Sequence, residues 1–364
     1  MDYTELPGLG RPVSRIGAGC WTIGGPAVNN GKPIGWEGVD EDAAYAGLVR
    51  SRDLGVTLFD TADVYGLGRS ERLIGRLLAE MRRDELVISS KVGYFAGTAR
   101  HPYLQRQIRH QLATTLDNLG TDYLDLYHLH STDFGPQDAY LAPAIWTLRR
   151  LREEGLIRAV GIRAPHRFAA EWATDPDHPH AAEARRFLAL YAAVRPDAIT
   201  VRHNLMTPLY RPDETDVLAL ARRDGVGVLL KQTLGQGLLL GTYRNRTEQG
   251  FSSADHRSRK PVSSTLVSLV EHAVGRIGQR FGTARSDLAR VAIQYALHTA
   301  PGAVALVGFR DATQITDNLA RSGEPLTDQN LHFLHRVMSP VRENLTESGP
   351  LAGPAQKNRP TDHQ

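Results

Sequence analysis

The sequence predicts an α/β protein built as a single (β/α)8 barrel of the TIM type. Three observations carry that expectation. Short β-rich runs alternate with helix-patterned segments along most of the chain. Eight such pairs can be counted. No low-complexity linker splits the 364 residues into separate units, and barrels of this kind run to about 250 residues or more as one domain.

Residues 3–16 read as two short extended pieces joined at Pro7-Gly8-Leu9-Gly10, a hairpin-like start. Strand-like runs follow near 16–20, 56–59, 86–91, 123–129, 157–162, 197–202, 226–231 and 303–308. Helical patterns fill 41–54, 70–82, 103–119, 140–154, 181–193, 213–224, 286–299 and 311–321. In the third helix, Gln105, Ile108, Leu112, Thr115, Leu116 and Leu119 recur mainly at three and four, which gives one buried stripe. Two connections are long: residues 21–40 after strand 1, with Gly24-Gly25 and Trp36, and residues 233–285 after strand 7, polar from Thr242 to Lys260 with an apolar helix after it. Loops of that length are usually lids or mobile segments. Residues 327–338 predict one extra C-terminal helix. The barrel domain is therefore set at 1–340, and 341–364, with Pro350, Pro354 and Pro360, is expected to be a poorly ordered polar tail.

Composition narrows the function classes. The chain is 41% hydrophobic and 23% charged, with a net charge of +3. No apolar run approaches the roughly 18 residues that span a membrane. The basic residues are scattered among acids, so no nucleic-acid face is expected. Cys20 is the only cysteine, which excludes an internal disulfide and fits a reducing, cytoplasmic setting. Met1-Asp-Tyr-Thr-Glu lacks the basic and apolar regions of a secretory signal.

The chemistry concentrates where strands end. The run Val56–Phe59 stops on Asp60, and Tyr65 follows five residues on, before Ser70 and Glu71 open the next helix. Lys91 ends the third strand and His130 the fourth. A barrel brings successive strand ends to one rim, so these four converge. A free phenol titrates near 10, too high for ready use at neutral pH. A buried ammonium beside it is expected to lower that pKa. Asp60 would hold Lys91 charged, and His130 would orient a carbonyl oxygen. His128 is expected on the opposite strand face from His130, in the core or facing a helix. No nucleophile–base pair and no zinc-spaced Cys/His set accompany this acid. Such a donor needs an outside source of electrons, which implies a hydride cofactor.

Five segments in order make the chain resemble an aldo-keto reductase over nearly its whole length. They are Leu58-Phe-Asp60-Thr-Ala-Asp-Val-Tyr65-Gly with Ser70-Glu71, Ser89-Ser-Lys91, Leu124-Asp-Leu-Tyr-His-Leu-His130, Leu234-Gly-Gln-Gly-Leu-Leu-Leu-Gly241, and Val307-Gly308-Phe-Arg310 through Gln314, Asp317 and Asn318. The resemblance implies NADP(H) bound to the barrel, with Tyr65 as acid, Asp60 and Lys91 tuning it, and His130 on the substrate. By the same resemblance Arg310 meets the 2′-phosphate, Gln314, Asp317 and Asn318 the adenosine, and Thr233, Leu234, Gly235 and Gly237 the pyrophosphate. Two features of the residues themselves agree. Gly308 allows close backbone approach, and a helix starting near Asp311 would offer N–H groups to phosphate.

The sequence leaves the family pattern around the nicotinamide. Gly161-Ile162-Arg163-Ala164-Pro165 stands where most members carry Ser-Asn, Thr200 replaces a Gln although Asn204 is kept, and Lys231 replaces an aromatic. Arg163 and Lys231 would bond the carboxamide, a phosphate, or an acidic group of the substrate. Trp21, Trp36, Phe95 and His101 lie on the loops that roof the pocket; Trp21 is assigned to the cofactor, and Trp36 and Phe95, with His130, to the substrate. The expected activity is NADPH-dependent reduction of a small-molecule aldehyde or ketone. A non-redox lyase or isomerase on the same barrel, and an NADP(H)-binding regulatory subunit, stay open, as does self-association into homo-oligomers.

Overall fold

The computed structural model describes residues 1–243, 251–259, 262–320, 323 and 325–347. Eight parallel strands close into a barrel, each hydrogen-bonded to its neighbours in sequence and the last to the first. They are β1 (Ile16–Gly19), β2 (Leu58–Asp60), β3 (Val87–Val92), β4 (Leu124–Leu129), β5 (Ile157–Arg163), β6 (Ala198–Arg202), β7 (Gly227–Lys231) and β8 (Val304–Gly308). The outer layer is α1 (Glu41–Asp53), α2 (Arg69–Leu78), α3 (Gln105–Leu119), α4 (Leu141–Glu153), α5 (Ala181–Val194), α6 (Val217–Arg223), α7 (Ser264–Phe281), α8 (Arg285–Thr299) and α9 (Ala312–Leu319), followed by α10 (Asp328–Glu347). Among the described residues no helix is long and apolar enough to cross a membrane.

Period two along the strands sorts the barrel interior into two halves. At the N-terminal end, Leu58, Val87, Leu126, Ala159, Ala198, Leu229, Val304 and Leu306 pack together. The antiparallel hairpin of Tyr3–Glu5 and Pro12–Ser14 caps them, adding Leu6 and Val13 to the cluster. Moving two residues at a time toward the other end, the inward face turns polar: Asp60, Lys91, His130, Arg163, Thr200, Arg202 and Lys231 all line one cavity. The fold thus closes one mouth of the barrel with apolar packing and leaves the other for chemistry.

This periodicity overturns the expectation for His128. Residues two apart share a strand face, so His128 points inward below His130. It sits in register with Lys91 on one side and Gly161 on the other. Both its ring nitrogens are buried without a partner, and burial, with Lys91 and Lys231, keeps it neutral. Gly161 makes room for it, since a Cβ there would lie 2.1 Å from its Nδ1.

The C-terminal helix is also longer than expected. Leu334, Met338, Val341 and Leu345 are buried at intervals of four, three and four, one continuous stripe that carries α10 through Pro340 to Glu347. Arg342 anchors it, donating to Leu205 O at 3.1 Å and Tyr295 OH at 3.1 Å. The expected boundary at residue 340 therefore falls inside a helix. The rest of the proposed tail, from 348, lies outside the described residues, as do 244–250, 260 and 261 of the long β7 connection. A short ribbon, Val28–Asn29 with Lys32–Pro33, stiffens the β1 loop.

Gly161→Ala should destabilise the protein by about 1–3 kcal/mol through overpacking, read as a lower urea midpoint. In a His128→Ala background the same substitution should cost far less. An equal cost in both backgrounds would show that the His128 ring is not what Gly161 accommodates.

Candidate active site

Asp60 leaves the sheet at the end of β2, and the chain turns back at once: Tyr65 N–H donates to Ala62 O at 3.0 Å, and Ser70 N–H to Tyr65 O at 3.2 Å. Gly66, at φ 63°, lies so close to the β1 loop that a Cβ would meet Gly24 O at 1.9 Å. Ser70 Oγ donates to Cys20 O at 3.0 Å and accepts from Thr61 Oγ1 at 2.8 Å. Glu71, fully buried, accepts from Ser90 Oγ and Thr115 Oγ1, both at 2.9 Å, and from Asn118 Nδ2 at 3.0 Å. Ser70 and Glu71 are thus braces for the loop that presents Tyr65. Asp63, behind that loop, has burial and the Glu71 charge pushing it up to about 7.

Lys91 Nζ stands 2.7 Å from Asp60 Oδ2 and also donates to Thr61 O. Ser89 Oγ donates to the other Asp60 oxygen at 2.9 Å. Asp60 and Lys91 are 4% and 3% exposed, so each charge depends on the other. Burial pulls the Lys91 pKa down, but Asp60 and Tyr65 together hold it above its usual value. Lys91 lies 4.9 Å from the centre of the Tyr65 ring. The expected lowering of the phenol does not result: burial pushes Tyr65 up, Lys91 pulls it down, Asp60 opposes Lys91, and the balance is about 12. Tyr65 is a fully protonated acid at neutral pH. His130 meets Tyr65 edge-on at 6.0 Å and Tyr94 at 4.5 Å. Burial and the cations Lys91, Lys231 and Arg163 hold its ring neutral, leaving one N–H to donate.

These four residues line a cavity of about 970 Å³ together with Gly308, Arg310 and Gln314. Its roof is two loops locked together. Trp21 and Trp36 meet edge to face at 5.4 Å, and His256 packs on both, at 4.2 and 4.5 Å. His256 N–H donates to Gly35 O at 2.9 Å, and Arg257, paired with Asp255 at 2.7 Å, lies over the Trp36 ring.

Most of the expected site residues line this cavity: Trp21, Trp36, Arg163, Lys231, Thr233, Leu234, Gly235, Gly237, Gly308, Arg310 and Gln314. Asp317, Asn318, Phe95 and His101 do not. Asn318 is buried behind the wall and donates from Nδ2 to Gly308 O at 3.1 Å, bracing that turn. Tyr94 takes the place expected of Phe95, and His101 stacks on Tyr140 at 4.3 Å. Asn204 spends its amide on the loop, donating to Gln232 O at 2.8 Å and accepting from Met206 N–H at 2.9 Å. The lining residues Arg202, His166 and Arg285 were not anticipated. Arg202 was findable, lying two residues past Thr200 on the same strand face.

The cavity suits a long polyanionic ligand such as a dinucleotide. After β7, Gln232, Gly235, Gln236 and Gly237 all have positive φ, from 57° to 96°, and wrap the backbone around the lining. Arg310 and Arg285 both line the cavity, and Arg285 Nε is buried without an acceptor. The start of α9 is less open than expected: Asp311 caps it, accepting from Gln314 N–H at 2.7 Å, and places a carboxylate where a phosphate was envisaged.

Over residues 15–337 the chain matches the model of the Aldo/keto reductase family. It is 28% identical to the aldo-keto reductase YhdN of Bacillus subtilis, over 93% of this chain and 94% of that protein. It is 29% identical to the NADH-specific methylglyoxal reductase of Escherichia coli, over 67% of this chain and 70% of that one. Among solved structures, the glycerol dehydrogenase AKR11B4 of Gluconobacter oxydans has a TM-score of 0.71 at 24% identity, with 99% of each chain covered.

Because the ion pair is buried rather than at an exposed rim, Lys91→Met should cost about 3–5 kcal/mol of stability by stranding Asp60. The double variant Lys91→Met/Asp60→Asn should recover part of that loss in urea unfolding. Strictly additive effects would mean that the two charges do not depend on each other.

Proposed function

The chain belongs to the aldo/keto reductase family, and on that premise we propose that it reduces an aldehyde or ketone to an alcohol with NADPH, Tyr65 giving the proton. One observation carries the reading: a buried Asp60–Lys91 pair set against a protonated Tyr65 and a neutral His130. The cavity that holds them is also lined by Arg310 and Arg285.

The residues divide the work as follows. His130 donates its N–H to the carbonyl oxygen and, being neutral, leaves the acid's role to Tyr65. When bound, the nicotinamide supplies the hydride. As the new C–H bond forms, the π pair of the carbonyl moves to oxygen and takes the Tyr65 proton. An alkoxide is more basic than a phenolate, so the transfer runs downhill even from a phenol at about 12. Lys91 then stabilises the phenolate, and Asp60 keeps Lys91 charged and in place. Trp21, Trp36 and His256 exclude water from above.

Arg310 supports NADPH as the donor, since a guanidinium pairs well with a phosphate dianion. The name of the Escherichia coli relative, NADH-specific, makes the choice of dinucleotide the point to measure. The altered floor at Arg163, Thr200 and Lys231 favours a second reading, proton transfer without redox chemistry on the same tetrad.

Titrating the protein with NADPH should quench fluorescence from Trp21 and Trp36 saturably, and adding aldehydes should oxidise the NADPH at 340 nm. Binding without oxidation across a broad carbonyl panel would favour the second reading. Arg310→Ala should raise the KM for NADPH by about tenfold or more and that for NADH much less. An equal rise would remove Arg310 from the 2′-phosphate. The pH profile has a definite sign. The acid must be protonated, Tyr65 keeps its proton to about 12, and His130 is already neutral, so kcat/KM for an uncharged aldehyde should stay level between roughly pH 6 and 9. Asp63, at about 7, is the control: a fall near neutrality that survives Asp63→Asn would contradict a high-pKa donor.

A further inference from the structure

The inward faces of β5, β6 and β7 carry cations that the proton transfer leaves unused. Arg163 is in register with Thr200, and Arg202 with Lys231. All three cations line the inner cavity. Arg163 finds only neutral partners there: Nη1 donates to Tyr94 OH at 2.8 Å, and Nη2 lies 3.2 Å from His166 Nε2. Lys231 has no hydrogen bond or ion pair from its side chain among the described residues. Burial, then Arg163 and Lys91, press its pKa far down, with Asp60 opposing, so an anion seated beside it would favour its charged form. Acidic groups act on this cluster only in part, Asp60 on Lys231 and Glu183, outside the cavity, with Arg163. Asp60 is held by Lys91, Asp255 by Arg257, and Glu37 is exposed.

Like charges gathered in a half-enclosed space repel, and each is short of water. An anion seated among them would relieve both costs. Its position relative to the reacting centre is set by Tyr94, whose hydroxyl accepts from Arg163 while its ring packs 4.5 Å from His130. The basic cluster therefore lies one aromatic ring away from the carbonyl seat. The residues that suit the cofactor's phosphates, Thr233 to Gly237 and Arg310, line the same cavity.

We propose that the substrate is an anionic carbonyl compound, and that Arg163 and Lys231, with Arg202 beside them, bind its carboxylate or phosphate next to the carbonyl group. The proposal rests on the carbonyl-reduction reading for the reaction, but its binding half stands by itself.

The test compares aldehydes of the same carbon skeleton and different charge with the full-length protein and NADPH. The pairs are 4-carboxybenzaldehyde against 4-carbamoylbenzaldehyde, and glyceraldehyde 3-phosphate against glyceraldehyde. At least one charged member should show a kcat/KM about tenfold or more above its neutral partner, and which pair responds distinguishes carboxylate from phosphate. Arg163→Gln and Lys231→Gln should bring that ratio toward one, mainly through the KM of the charged aldehyde. A ratio of one or less in the unmodified protein for both pairs would overturn the proposal. So would variants that raise only the KM for NADPH and keep the ratio, which would give the cluster to the cofactor. Calorimetric titration with benzoate and with inorganic phosphate separates the two readings. If no aldehyde of either charge is reduced, the reductase reading fails, and anion binding that Arg163→Gln abolishes still supports the site. Absence of binding by both anions, together with no turnover, overturns the site as well. Circular dichroism confirms that the variants are folded.

Discussion

The buried pair of Asp60 and Lys91 is the constraint on which the site depends. Neither charge is tolerable alone at that depth, and each comes from a different strand. Closing β2 against β3 is what brings Asp60 Oδ2 within 2.7 Å of Lys91 Nζ. Ser89 Oγ and Thr61 O satisfy further valences of the pair, so its geometry is fixed before any ligand arrives. Tyr65 then inherits two opposed fields, and burial decides the outcome. On the proposed reading this produces a donor that never loses its proton prematurely. Lys91 matters most after the transfer, when the phenolate it faces has formed.

The same inward periodicity that places the pair also shapes what surrounds it. Apolar residues at the N-terminal end and polar ones at the other come from the same strands, separated only by steps of two. His128 and Gly161 mark the boundary, a large ring filling the space that a missing side chain leaves. Above them the cations at Arg163, Arg202 and Lys231 make the floor unusually basic for a site that is to hold a nicotinamide. That charge is costly in the free protein and is explained if the substrate brings an anion.

The barrel was legible because its strands and helices repeat with clean periods and because turns punctuate them. Asp60, Lys91 and His130 were legible for the same reason: each sits at a strand end, where topology alone fixes the neighbourhood. Reading period two consistently would also have found Arg202 and put His128 inside. Other features lie beyond the reach of periodicity. Tyr94 and Phe95 follow the end of β3, where alternation stops and only the loop's path decides which ring faces the cavity. Asp311 was read as the start of a phosphate-binding helix, yet its side chain occupies one of the N–H groups itself. The pKa of Tyr65 required the balance of burial against two opposite charges, which no spacing rule supplies. The last helix was expected only over 327–338, with a polar tail beyond, whereas the stripe of Leu334, Met338, Val341 and Leu345 carries it on to Glu347.

The most direct measurement of the central claim is a single-turnover experiment on Tyr65→Phe. The variant is saturated with NADPH, its affinity read by fluorescence, and then mixed rapidly with an aldehyde the unmodified protein reduces. Loss of the proton donor should leave NADPH affinity within about threefold while slowing cofactor oxidation by about 10²-fold or more. Oxidation at the unmodified rate would contradict the assignment of Tyr65 as the acid on which the site is built.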